Sequence, residues 1–185
     1  MRIAAIDDGG FMASLALVAA LAYGAGALAA DPDIQAPNVV AISTRLVTSG
    51  QPTTDALSHL AALGFGAVIY LAPPTVADAV AGEADIVRKQ GLEFVNIPIN
   101  FGDPTDADFR SFVEAMDGFG DRKVLVHCQV NFRASSMTFL YRVIHGGEKP
   151  EQAYEAVARV WAPQGVWMKF IVSRLRKAGV DFEPY

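Results

Sequence analysis

Beyond residue 37 the chain alternates short apolar runs with longer stretches of helical period. Runs at 67–71 (AVIYL) and 123–127 (KVLVH) are continuously apolar at their centres, the pattern of strands buried on both faces. Shorter β-branched runs at 38–43 and 46–48, and EFVNIP at 93–98, read as further strands. Between them the pattern predicts a helix over 54–63, capped by Thr53 or Thr54 and stopped at Gly64. Another is expected over 76–90, after Pro73-Pro74 and before Gly91. A third follows the Thr105 cap to about residue 116; later helices are expected over 134–145, from Pro150, and over 164–178. Strands alternating with helices long enough to be crossovers predict an α/β fold: a central, mostly parallel sheet of four to five strands flanked by helices. No repeat or linker divides residues 31–185, which read as one domain.

The first thirty residues follow a different pattern. FMASLALVAALAYGAGALAA, residues 11–30, is uncharged, and Asp31-Pro32-Asp33 ends it abruptly. Its apolar core is short for a membrane span, and Ala27-Leu28-Ala29 offers a small-x-small cleavage site. Residues 1–30 are therefore expected to be a signal peptide, with a periplasmic or secreted product and no stable membrane insertion after processing. Its amino-terminal region departs from the usual basic character, since Arg2 is joined by Asp7 and Asp8; translation starts at Met1 or Met12. The leader also accounts for much of the positive mean hydropathy of +0.27. A formal charge of −5 leaves no basic footprint for nucleic acid. One cysteine and three scattered histidines exclude an internal disulfide and a multi-thiolate metal site, and no metal or cofactor is expected.

That cysteine carries the candidate chemistry. Cys128 directly follows the strand KVLVH and directly precedes a helix, where ligands of open α/β sheets bind and where a helix N-terminus presents free N–H groups. A thiol placed there is favoured as thiolate. Arg133, five residues on, adds a planar cation suited to an oxyanion, on the end of the helix where a cation is otherwise mildly unfavourable. Asn131 sits mid-loop and tolerates the left-handed backbone that an anion-cradling loop requires. Gln129, Val130, Asn131, Phe132, Ala134 and Ser135 are expected to line the bound group, and Ser135 or Ser136 to donate to the sulfur. His127 is expected to support the loop, hydrogen-bonded within the sheet, rather than act as a base. Trp161 and Trp167 read as core residues.

VLVHCQVNFRAS resembles the HC-x5-R-[ST] loop of cysteine-dependent protein tyrosine and dual-specificity phosphatases. NVVAISTRLVTSGQPT and LGFGAVIYL are similar to the opening of a bacterial dual-specificity-phosphatase-like family, in which a "tSGQP" turn precedes the first helix. The resemblance implies that Cys128 attacks phosphorus, that Arg133 and the loop amides hold the equatorial oxygens, and that an aspartate of NFGDPTDAD protonates the leaving oxygen. Asp103 is the candidate there, because Asp106 and Asp108 follow a cap and suit a helix first turn on structural grounds alone. The implied substrate is a phosphorylated protein or a small phosphate ester. The arginine stands fifth after the cysteine, whereas the phosphatase pattern places it sixth; Asn131 takes the family's glycine position. A loop one residue shorter favours a smaller ligand. Two alternatives accordingly stand: a rhodanese-like sulfurtransferase carrying a Cys128 persulfide, and a weakly active phosphate-binding protein.

Overall fold

The computed structural model describes residues 33–185, so the predicted leader lies outside the described residues. Five strands, β1 (Val40–Ser43), β2 (Leu46–Ser49), β3 (Ala67–Tyr70), β4 (Glu93–Asn96) and β5 (Val124–His127), form one sheet ordered β1-β2-β5-β3-β4. The pairs β2/β5, β5/β3 and β3/β4 are parallel, and only β1 runs antiparallel, against β2. The mixed α/β architecture expected from the alternation is the one observed. In chain order the helices are α1 (Thr54–Ser58), α2 (Glu83–Arg88), α3 (Asp106–Phe119), α4 (Phe132–Ile144), α5 (Pro150–Ala158) and α6 (Gly165–Lys177).

Strand alternation divides the core in two. Val47, Val68 and Leu125 point to one face, where Leu57, Leu60 and Val87 from the α1 and α2 side cover them. Ala67, Ile69, Val124 and Val126 point to the other, against Phe109 and Phe112 of α3, Met137 and Leu140 of α4, Tyr154 of α5 and Trp167 of α6. Each fully buried large apolar side chain contributes about 1.5–3 kcal/mol. Helix α4 is apolar or small on almost every side and is buried from Arg133 to Leu140. Its N-terminus is thereby fixed against the end of β5.

Two helices are shorter than their patterns predict. Segment 71–82 runs as turns, and only six residues of the expected 76–90 helix remain, as α2. Gly82, at φ 71°, breaks the backbone there, and the alanine-rich stretch before it has no apolar stripe to bury. Helix α1 ends at Ser58 because the Gln90 side chain intervenes. Its Nε2 donates to Leu57 O (2.7 Å) and its Oε1 accepts from Ala61 N–H (3.1 Å), the pair that another helical turn would have joined directly. Conversely, α4 starts at Phe132, two residues before the expected position, and α3 runs three residues further, to Phe119.

Candidate active site

Cys128 lies at the carboxyl end of β5, the central strand, with β2 on one side and β3 on the other. The loop after it is held from outside. Gln51 N–H donates to Gln129 O (3.0 Å), Gly50 bridges to Val130, and Asn38 Nδ2 donates to Val130 O (3.0 Å). Asn131 takes the left-handed conformation, φ 71°, as the residue capping α4; its Nδ2 donates to Asn38 O (2.7 Å) and Thr48 Oγ1 (3.0 Å). With the loop carbonyls so occupied, the amides are left over. Among the described residues, the N–H groups of Gln129, Val130, Phe132, Arg133 and Ala134 find no backbone acceptor. Orphan donors at a helix N-terminus are what an anion requires.

Arg133 is 5% exposed and stays beside the loop rather than reaching into solvent. Its Nε donates to Ile99 O (3.1 Å), its Nη1 lies 3.5 Å from Gln129 Oε1, and the guanidinium carbon sits 5.1 Å from the Phe101 ring centre. The guanidinium is thus anchored by one edge. Phe132 is half-buried and stacks on Trp161 (4.4 Å, 2° between planes), with Phe101 tilted against both. Trp167 is in the core, as expected, its Nε1 donating to Phe101 O (2.9 Å); Trp161 is only partly covered and borders the loop.

Cys128 itself is fully buried and counted with the main core, so the loop has to yield for any reactant to meet the sulfur. Ser135 Oγ donates to Phe132 O (3.2 Å) instead of to the sulfur, and Ser136 Oγ is buried with no hydrogen-bond partner. His127 is buried as well; its backbone is paired in the sheet, with Leu71 N–H donating to its carbonyl (2.8 Å), while its ring nitrogens make no hydrogen bond. Its Nε2 lies 2.7 Å from Oε1 of the buried Glu83, on α2, an ion-pair separation without the alignment of a hydrogen bond, and its ring stacks on Tyr70 (4.8 Å, 14°). Burial foremost, then the electrostatic effect of Glu83, Asp78 and Cys128, push the Tyr70 phenol up to about 12, Arg133 acting the other way. Tyr70 therefore stays neutral and donates to Pro73 O (3.3 Å).

Three aspartates were candidates on the loop after β4, and two of them are engaged elsewhere. Asp108 forms the capping box with Thr105. Asp106 accepts from Lys177 Nζ (2.6 Å) and pairs with Arg174 (3.1 Å), and these contacts hold its carboxyl below the usual range. Asp103 is exposed, and among the described residues its carboxyl accepts no side-chain or backbone hydrogen bond. Phe101, two residues before it, contacts Arg133, so this loop borders the site.

Three residues at the site were not anticipated. Asp78 Oδ1 accepts from Gln129 Nε2 (2.9 Å), Gln51 Nε2 donates to Glu83 Oε2 (2.9 Å), and Glu83 faces His127. Gln51 lies within the SGQP turn, the one available signal; Asp78 and Glu83 look like ordinary solvated acids of the helix expected over 76–90. A cavity of ≈ 420 Å³ opens beyond Tyr70, lined also by Glu83, Arg88, Phe94 and Asn96, and no residue of the loop 128–135 lines it.

Residues 33–167 match the family model described as DSP-PTPase phosphatase fused to NAD+ kinase. A beta-lactamase hydrolase-like protein of Xylella fastidiosa is 32% identical over 117 residues, 62% of this chain and 27% of the relative, so the chain spans about a quarter of that protein's length. A Shewanella putrefaciens protein described as a candidate phosphatase (DUF442) superposes with a TM-score of 0.70 at 29% identity, over 77% of this chain and 91% of that one. TpbA of P. aeruginosa shares the fold, with a TM-score of 0.60 at 20% identity over 86% of this chain and 92% of its own.

Proposed function

Because the chain belongs to the DSP-PTPase phosphatase family, we propose that it hydrolyses phosphate monoesters through a phosphocysteine at Cys128. The observation that carries the reading is the buried Arg133 beside a loop whose amides lack acceptors, around the chain's single thiol. In the first step the Cys128 thiolate attacks phosphorus, the ester P–O bond breaks, and the Asp103 carboxyl gives its proton to the leaving oxygen. In the second, water attacks the phosphocysteine and gives its proton to the Asp103 carboxylate, and the S–P bonding pair returns to sulfur. Arg133, held at Nε by Ile99 O, keeps its other edge for the equatorial oxygens, whose charge the orphan amides also meet. Substrates of this reading are phosphorylated proteins or small phosphate esters. Residues 1–30 would be removed on export, leaving residues 31–185 as the working domain in the periplasm or outside the cell.

A second reading is favoured by the four-residue spacing between Cys128 and Arg133. A narrower cradle suits a sulfur donor such as thiosulfate, whose outer sulfur passes to the Cys128 thiolate with release of sulfite. An aryl phosphate assay of wild type and Cys128→Ser, run beside thiosulfate-to-cyanide transfer, separates the two. Phosphate release lost in Cys128→Ser supports the phosphatase; cyanide-dependent thiocyanate alone supports the transferase. Vanadate binding without either turnover, lost in Arg133→Ala, identifies a binding protein.

A further inference from the structure

A carboxylate is seldom buried unless other groups stabilise it, and Glu83 is 5% exposed at the first residue of a helix too short to account for it. Its two oxygens face different partners. Oε1 lies 2.7 Å from Nε2 of His127, the residue immediately before Cys128. Oε2 accepts from Gln51 Nε2 (2.9 Å), and the main-chain N–H of that same Gln51 donates to the carbonyl of Gln129, the residue immediately after Cys128. Tyr70 closes the arrangement by stacking on the His127 ring. One buried carboxylate thus faces one residue flanking the thiol directly, His127, and reaches the other, Gln129, through Gln51.

We infer that Glu83 is a positioning residue for the Cys128 loop, acting through His127 on one side and Gln51 on the other. This rests on the reading of that loop as an oxyanion cradle. The contacts keep the loop closed over the sulfur and its free amides grouped, so their loss loosens both functions together. Removing the carboxylate exposes the thiol while dispersing the donors that would hold an anion. Those effects have opposite signs in two measurements.

The test uses the full chain with Glu83→Gln, the exchanged pair Gln51→Glu/Glu83→Gln, and Val157→Ala, a core variant on α5 outside the Glu83 contacts, which lowers the melting temperature. Each is measured well below its melting temperature, where circular dichroism shows it folded. Since Cys128 is the only cysteine, its alkylation by iodoacetamide reports that residue alone. In Glu83→Gln, alkylation is expected to quicken and vanadate affinity to fall, each by roughly tenfold to a hundredfold, the scale of an ångström's misplacement. The exchanged pair, in which the amide at 83 faces His127 and a carboxylate at 51 accepts from it, restores both. Val157→Ala changes neither. If Glu83→Gln only lowers the melting temperature, leaving alkylation and vanadate affinity at wild-type values, the inference is overturned. If wild type binds vanadate without hydrolysing any phosphate ester and Glu83→Gln weakens that binding, the phosphatase reading fails and the positioning role stands. Should wild type bind no vanadate, the cradle reading fails; a Glu83→Gln alkylation rate equal to wild type then overturns the inference as well, and a faster one that the exchanged pair reverses upholds only the part in which Glu83 holds the loop over the thiol.

Discussion

Asn131 shows how much one residue contributes to this loop. Its left-handed backbone disfavours any residue with a Cβ other than Asn or Asp, and its amide also bridges Asn38 and Thr48. Asn131→Gly is expected to lose the two hydrogen bonds but keep the conformation; Asn131→Ala loses both. Chemical denaturation should find the alanine variant less stable than the glycine variant by about 1 kcal/mol, the cost of left-handed strain. Equal stabilities would show that the side-chain bonds alone matter. Residues of this kind are legible in sequence because their reason is local: a thiol after an apolar strand, a cation at a helix start, an asparagine at the turn. Phe132 belongs partly to another class, since its stacking on Trp161 depends on a loop some thirty residues away in the chain.

At the scale of elements, the loop between β5 and α4 is shaped by what presses on its outer side. The turn 49–51 lies so close that a Cβ on Gly50 would stand 2.7 Å from Gln129 O and 2.8 Å from Pro37 Cβ. Neither neighbour is the free end of a flexible chain. Gly50→Ala is therefore expected to displace the Gln129 peptide and weaken vanadate or phosphate binding at least tenfold, with a fall in melting temperature. Isothermal titration checks the first and a thermal scan the second; unchanged affinity would mean the loop tolerates the shift. This contact gives the SGQP turn a physical role, which is to hold the cradle's carbonyls outward. Helix lengths were less legible than strands. The apolar runs that became β3 and β5 are decided by their own composition, whereas α1 stops where a glutamine from past the end of α2 inserts between the Leu57 carbonyl and the Ala61 amide.

For the molecule as a whole, Asp106 ties the start of α3 to the end of α6 through Lys177 and Arg174. Because those contacts depress its folded pKa, its contribution is fully present above the ordinary value of 3.8 and is lost as pH falls through the lower folded value. Asp106→Asn should melt below wild type at neutral pH, with the difference closing as both are acidified past that range; a difference constant with pH would assign the effect to packing. Sequence alone determined the α/β class, the two strands buried on both faces and the thiol–arginine pair after one of them, because hydrophobic period and helix-start chemistry act over a few neighbouring residues. Only the tertiary structure decided which carboxylates serve the site. Asp78 and Glu83 look alike in one alanine-rich stretch, yet the fold leaves one exposed against Gln129 and buries the other against His127. Burial is set by what packs on a side chain from distant parts of the chain, and nothing in the local pattern records that.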